Sequence, residues 1–290
     1  MNVKKETSVN GFTLVELLVV ISIIAVLLSL LIPAMNKARA QARKVICANQ
    51  SHQWSIALSA YASEHNGSIP RTTHAQGTPW PSMVVVSKSC PYYNAGDFTS
   101  DAIGKYVAGY DKNTQKPPES VWFCPEASAS YRKLLETDYV PYGYFHMTYD
   151  YFGQTKKWAN AANSPTPNLL VRDLADSLSG GRKLLMADHL IKVSYNATGN
   201  FIPGTWAYNH GLNGPAYFFK FDGTTRKDLG DKVPPAFSGT NNLYTDGSVY
   251  WKRRTEFNLE TLRRLRTTDG TAGWIWSGHS GGSWWLMTTY

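Results

Sequence analysis

The stretch Gly11-Phe12-Thr13-Leu14-Val15-Glu16, followed by an apolar run that reaches Ile32, decides how this 290-residue chain is read. Residues 12–32 are mostly Leu, Ile and Val, relieved only by Thr13, Glu16, Ser22 and Ser29. At about 1.5 Å per helical residue they span roughly 30 Å, the hydrocarbon thickness of a bilayer. A charged carboxylate inside such a segment costs on the order of 2.5–3.5 kcal/mol on insertion scales, so Glu16 calls for a cationic partner. Pro33 closes the run. With helical pattern on both sides, its missing N–H bends a helix rather than ends it.

Beyond Pro33, Met35, Ala38, Ala42, Val45, Ala48 or Asn49, Ile56, Ala60 and Tyr61 recur at spacings of three and four, with most Lys and Arg between them. That spacing predicts an amphipathic continuation to Glu64 or His65, stopped by Asn66-Gly67-Ser68-Ile69-Pro70. The helix as a whole would be about 80 Å long. Arg43, Lys44 and His52 read as solvated positions on it. After Pro70 the pattern changes to short strands. Candidates are 83–86, 121–123, 142–147, 184–186, 191–195 and 217–221, with Gly-, Pro-, Asn- and Ser-rich connections and no βαβ rhythm. The clearest hairpin is Asn242-Leu243-Tyr244-Thr245, Asp246-Gly247, Ser248-Val249-Tyr250-Trp251, with Asp-Gly as a two-residue type I′ turn. Residues 255–266 read as a short amphipathic helix, and 273–290 as a Gly-, Ser- and Trp-rich strand pair or tail. The fold class is α+β: a long N-terminal α-helix, half transmembrane and half amphipathic, packed on a mainly antiparallel β-sheet domain. The divisions are a leader at 1–11, a transmembrane and assembly helix at 12–33, an amphipathic helix at 34–66 and a globular domain at 67–290.

The run Gly11-Phe12-Thr13-Leu14-Val15-Glu16-Leu17-Leu18-Val19-Val20-Ile21, with Lys4 and Lys5 before it and Pro33 after it, resembles the prepilin signal of type IV pilins and type II secretion pseudopilins. The resemblance covers residues 1–66 and implies the same long-helix fold. It implies that prepilin peptidase cuts between Gly11 and Phe12 and methylates the new amine of Phe12. It also implies that Glu16 pairs with that amine on a neighbouring pilin or pseudopilin subunit. The partners that follow are the peptidase, other subunits of a homo- or hetero-filament, the inner-membrane assembly platform of a secretion system, and membrane lipid. The implied location is a single pass through a bacterial inner membrane, leader in the cytoplasm and C-terminal domain in the periplasm, then a filament. Charge alone would orient the span the other way, because Lys37, Arg39, Arg43 and Lys44 outnumber Lys4 and Lys5. Ala38-Arg39-Ala40 resembles a secretory cleavage site, but the apolar run exceeds the usual 7–15 residues and contains an acid. More weakly, Asn209-His210-Gly211 and Tyr244-Thr245-Asp246-Gly247-Ser248-Val249 resemble a His…Asp-Gly signature of large pseudopilin-like proteins, stretched because 217–237 intervenes.

A net charge of +8 is moderate and scattered, with no stripe or motif for nucleic acid, so none is expected as a partner. Ten Trp and seventeen Tyr suit packed interfaces and wet contact surfaces alike. Of the three cysteines, Cys47 sits on the predicted helix, while Cys90 and Cys124 each precede a proline; an exported domain permits a Cys90–Cys124 disulfide. No C-x-x-C or C-x-x-H pair marks zinc, and no metal or cofactor is expected. Asp222, Asp228 and Asp231 share a Gly-containing loop that offers oxygen ligands for calcium, diluted by Arg226, Lys227 and Lys232. Asp188-His189, His210 and Asp246 form the one His/Asp set at predicted strand ends. No G-x-S-x-G serine accompanies them, so catalysis is not expected. The functional expectation is a structural filament subunit. Its alternative is an exported glycan- or metal-binding module that uses a pilin-like anchor.

Overall fold

A computed structural model describes residues 12–75, 78–79, 83–107, 121–126, 143–154, 183–195, 202–212 and 236–257. The chain divides into two compact units between Ala42 and Arg43. Helix α1, Leu14–Glu64, contains Pro33 and supplies part of both units.

In the first unit α1 is a lipid-compatible surface. Every Phe, Leu, Ile and Val from residues 12–32 is exposed, and this is the one helix among the described residues long and apolar enough to cross a membrane. The serine hydroxyls of this run are satisfied within the helix. Ser22 Oγ donates to the carbonyl of Leu18 at 2.8 Å and Ser29 Oγ to that of Val26 at 2.7 Å, as a segment without water requires.

In the second unit the same helix buries Cys47, Gln50, Ser51, Trp54, Ala57, Leu58, Tyr61 and Ala62, spaced at three and four. This corrects the expected face. Of the expected positions Tyr61 is buried, but Val45 and Ile56 are 59% and 70% exposed, so these two mark the wrong side. The real stripe is carried by one tryptophan, small residues and polar groups with buried partners. Trp54 is its centre: Nε1 donates to the Val121 carbonyl at 3.0 Å, Trp122 meets its ring edge-on at 4.7 Å, and Phe98 lies at 5.5 Å. Asn66 and Gly67 end the helix at positive φ, with the Gly67 N–H donating back to Ala62.

Ten strands follow: β1 (His74–Ala75), β2 (Thr78–Pro79), β3 (Met83–Val85), β4 (Tyr144–His146), β5 (Tyr149–Tyr151), β6 (Leu184–Asp188), β7 (Leu190–Tyr195), β8 (Ile202–Tyr208), β9 (Gly239–Tyr244) and β10 (Val249–Arg253). The main sheet has the order β10-β9-β6-β5, with every neighbour antiparallel. β1–β2, β3–β4 and β7–β8 form separate antiparallel pairs. This is the expected α+β architecture. β5 and β6 are buried along their whole lengths, so both faces are covered and each strand buries an aspartate, Asp150 and Asp188.

Two local expectations change. Residues 121–123 are not a strand; they form a buried turn that places Trp122 under Trp54. The β9–β10 hairpin exists, but its turn is not two-residue type I′, which needs positive φ at both central positions. Only Gly247 has one, at φ 80°, and its N–H donates to the Tyr244 carbonyl at 2.9 Å. That is a longer turn closed by a left-handed glycine. The candidate strand at 217–221, the calcium aspartates, nearly all of the helix at 255–266 and the tail at 273–290 lie outside the described residues.

Candidate functional site

Two places carry chemistry. At the N-terminus, Gly11 lies outside the described residues, while Phe12 is exposed ahead of α1. Glu16 already has a local partner that sequence reading overlooked. Its Oε2 accepts from the Thr13 N–H at 2.8 Å and from Thr13 Oγ1 at 2.7 Å, while Thr13 Oγ1 accepts from the Glu16 N–H at 3.3 Å. This reciprocal pairing is a capping box, and its signature, Thr-x-x-Glu before an apolar run, stands in the sequence.

The second place is buried in the other unit. Cys47 arrives from α1, Cys124 from the turn after Trp122, Asp188 from the last position of β6, and His210 from the loop after β8. One ligand-capable atom from each lies within 4.8 Å of the other three, and all four residues are buried. His210 Nε2 faces Asp188 Oδ2 at 3.1 Å and Cys124 Sγ at 3.6 Å. Its Nδ1 stands 2.7 Å from Glu126 Oε2, and Glu126 Oε1 in turn accepts from Arg43 Nε at 3.4 Å. Asp188 Oδ2 accepts from the backbone N–H of Asn241 at 2.6 Å and from its side-chain Nδ2 at 2.9 Å. Asp188 Oδ1 is buried with no hydrogen-bond partner. Trp251 meets the His210 ring edge-on at 5.2 Å and carries Lys44 Nζ over its own ring at 4.6 Å.

The electrostatics are those of a closed network. Burial disfavours a charge on His210, but the Asp188 carboxylate and bonds to Asp188, Cys124 and Glu126 outweigh it and hold the imidazole well above its ordinary value. Burial likewise opposes ionisation of Glu126, yet the bond to His210, the imidazole charge and Arg43 hold its carboxyl low. Cys124 resists ionisation through burial, but the bonds to Cys47 and His210 bring its thiol down to about 7. Cys47 is pushed far up, first by burial and then by its bond with Cys124. Next to it, Tyr149 donates its hydroxyl to Gln50 Oε1 at 2.6 Å inside the core.

The expected residues are therefore redistributed. Asp188 and His210 meet, but Asp246 does not join them: it is exposed in the hairpin turn, where its Oδ1 accepts from the Ser248 N–H and hydroxyl. His189 turns instead to Asp150, with Nδ1 3.1 Å from Oδ1. Cys90 and Cys124 are not joined; all three cysteines are free, and Cys124 faces Cys47. Arg43 and Lys44, expected to be solvated, engage Glu126 and Trp251. The long separation between His210 and Asp246 also has a structural form. Gly211 bridges Phe237, the Leu212 N–H donates to Ala236, and the Ser238 N–H donates to His210. The two ends of the intervening segment are thus tied together beside the site.

No curated protein and no solved structure matches the chain. A family model does: residues 7–32 match the prokaryotic N-terminal methylation motif. The matched span contains Gly11, Phe12 and Glu16 together with most of the exposed apolar face of α1. The chain thus carries, over residues 7–32, a prokaryotic N-terminal methylation motif, a type IV pilin-like signal that implies processing by prepilin peptidase.

Proposed function

We propose that the protein is a pseudopilin-like structural subunit. It is held in the inner membrane by residues 12–32, trimmed after Gly11, and extracted into a type II secretion pseudopilus or a type IV pilus-like filament. The observation that carries this reading is the methylation motif at 7–32 lying on a helix whose apolar surface has no cover in its own unit. In a filament that surface exchanges lipid for neighbouring copies of the helix, and Ala25 and Ser29 allow close approach. The role is assembly rather than catalysis.

Glu16 acts in two stages on this reading. In the membrane its carboxylate caps α1 through Thr13. In the filament the methylated ammonium of Phe12 from an adjacent subunit replaces those bonds with an ion pair, which sets register because an unpaired buried charge is costly.

The test is the intact mass and N-terminal residue of the protein taken from native membranes. A chain starting at N-methylated Phe12 is expected, and Gly11→Arg should abolish that product. A chain that retains Met1, or a Gly11→Arg variant of mature size, overturns the assignment. Separately, Glu16→Gln should be processed normally yet recovered at least about tenfold less in sheared filaments, the effect of roughly 1.4 kcal/mol or more of lost pairing. Normal incorporation would remove Glu16 from the assembly mechanism.

A further inference from the structure

We infer that Cys47, Cys124, Asp188 and His210 form a structural zinc site that fastens α1 to the sheet. The donor set suits the metal: two sulfurs, one imidazole nitrogen and one carboxylate oxygen. Tetrahedral bonds of about 2.0–2.3 Å place ligand atoms roughly 3.3–3.8 Å apart. The 3.1 Å and 3.6 Å separations of His210 Nε2 from Asp188 and Cys124 are already close to that range, and all four ligand atoms lie within 4.8 Å of one another. A small inward movement of side chains completes the shell.

Three further features point the same way. Glu126 holds His210 through Nδ1, which leaves Nε2 turned toward the sulfurs and the carboxylate. A carboxylate behind a ligating imidazole is the usual outer partner of a zinc histidine, and here Arg43 steadies the carboxylate in turn. Asn241 fixes Asp188 through Oδ2, while Oδ1 is buried without a hydrogen-bond partner among the described residues, so the carboxylate keeps an uncommitted oxygen for a metal to engage beside Oδ2. All four ligand residues are buried, so the shell is closed, as in structural rather than catalytic sites.

Sulfur donors exclude calcium and magnesium as natural occupants, and a four-coordinate mixed sulfur, nitrogen and oxygen set favours zinc. On binding, zinc takes the place of the Nε2 proton and of the thiol protons, which leave to solvent, and the Nδ1–Glu126 bond stays. The four ligands come from α1, a turn, a strand end and a loop, so one ion would cross-link chain segments far apart in sequence. The inference is independent of filament assembly and concerns only the second unit.

The experiment uses the full-length chain purified from membranes in detergent. Elemental analysis after dialysis should find about one zinc per chain, and His210→Ala or Cys124→Ser should lower that to less than about a tenth. Either variant can fail through misfolding, so the wild-type protein is also stripped with chelator and reloaded with cobalt(II). A tetrahedral visible spectrum with a thiolate charge-transfer band is expected. Under denaturing conditions without reductant, all three cysteines should then alkylate. Absence of zinc together with absence of the cobalt spectrum overturns the site. So does a Cys47–Cys124 disulfide, seen as two alkylation sites lost in the intact protein.

Discussion

The two halves of α1 solve opposite problems with one backbone. From Phe12 to Ile32 its large side chains face outward, and Thr13, Glu16, Ser22 and Ser29 bond within the helix. After Arg43 it buries a stripe that includes Cys47, Gln50, Ser51 and Trp54, each engaged by groups from other elements or by its own helix. From Phe12 to Ile32 the first half is apolar apart from Thr13, Glu16, Ser22 and Ser29, and its large side chains have no cover among the described residues. The second half is mixed in composition and is completed by its own domain. Apolar content alone thus misleads about burial: the more hydrophobic half is the more exposed one.

The sharpest way to break this contrast is to truncate each half and watch the folded domain. Trp54→Ala removes a fully buried ring between Phe98 and Trp122, and should destabilise the second unit by about 3–5 kcal/mol, read as a large fall in its denaturation midpoint. A smaller effect is expected from Gln50→Leu. It leaves the Tyr149 hydroxyl buried without its acceptor, a loss of about 1–3 kcal/mol in the same measurement. At the bottom of the scale, Leu28→Ala in the exposed half should leave the midpoint of the domain unchanged within error, near the ±0.5 kcal/mol usual for surface positions. A Leu28→Ala variant as unstable as Trp54→Ala would show that the halves are not energetically separate.

What sequence reading could reach follows from the range of each interaction. The start and end of α1, its passage through Pro33, and the β9–β10 hairpin are written in short windows of pattern, and the structure has them. The buried face of α1 was missed because Val45 and Ile56 look like core while Gln50 and Ser51 look like surface. Their roles are decided by Tyr149 and by the Cys47 carbonyl, the first of them distant in sequence. The buried cluster was half legible. Asp188 and His210 stood out, but Cys47, Cys124 and Glu126 join them only through tertiary folding, and no C-x-x-C spacing announces them. One clue was available: Cys47 falls seven residues before Trp54, on the same helical face.

The isolated bridge between Gly211 and Phe237 amounts to a splice point. His210 and Ser238 are held together by backbone bonds whatever joins them along residues 213–235. Between ends tied in this way added chain length is cheap in general, since each doubling of a loop's length costs only about 0.6 kcal/mol of closure entropy. The tie therefore marks a port where sequence can be added or trimmed while the backbone bond at His210 is kept. For an engineer, it is the place to graft a peptide for display.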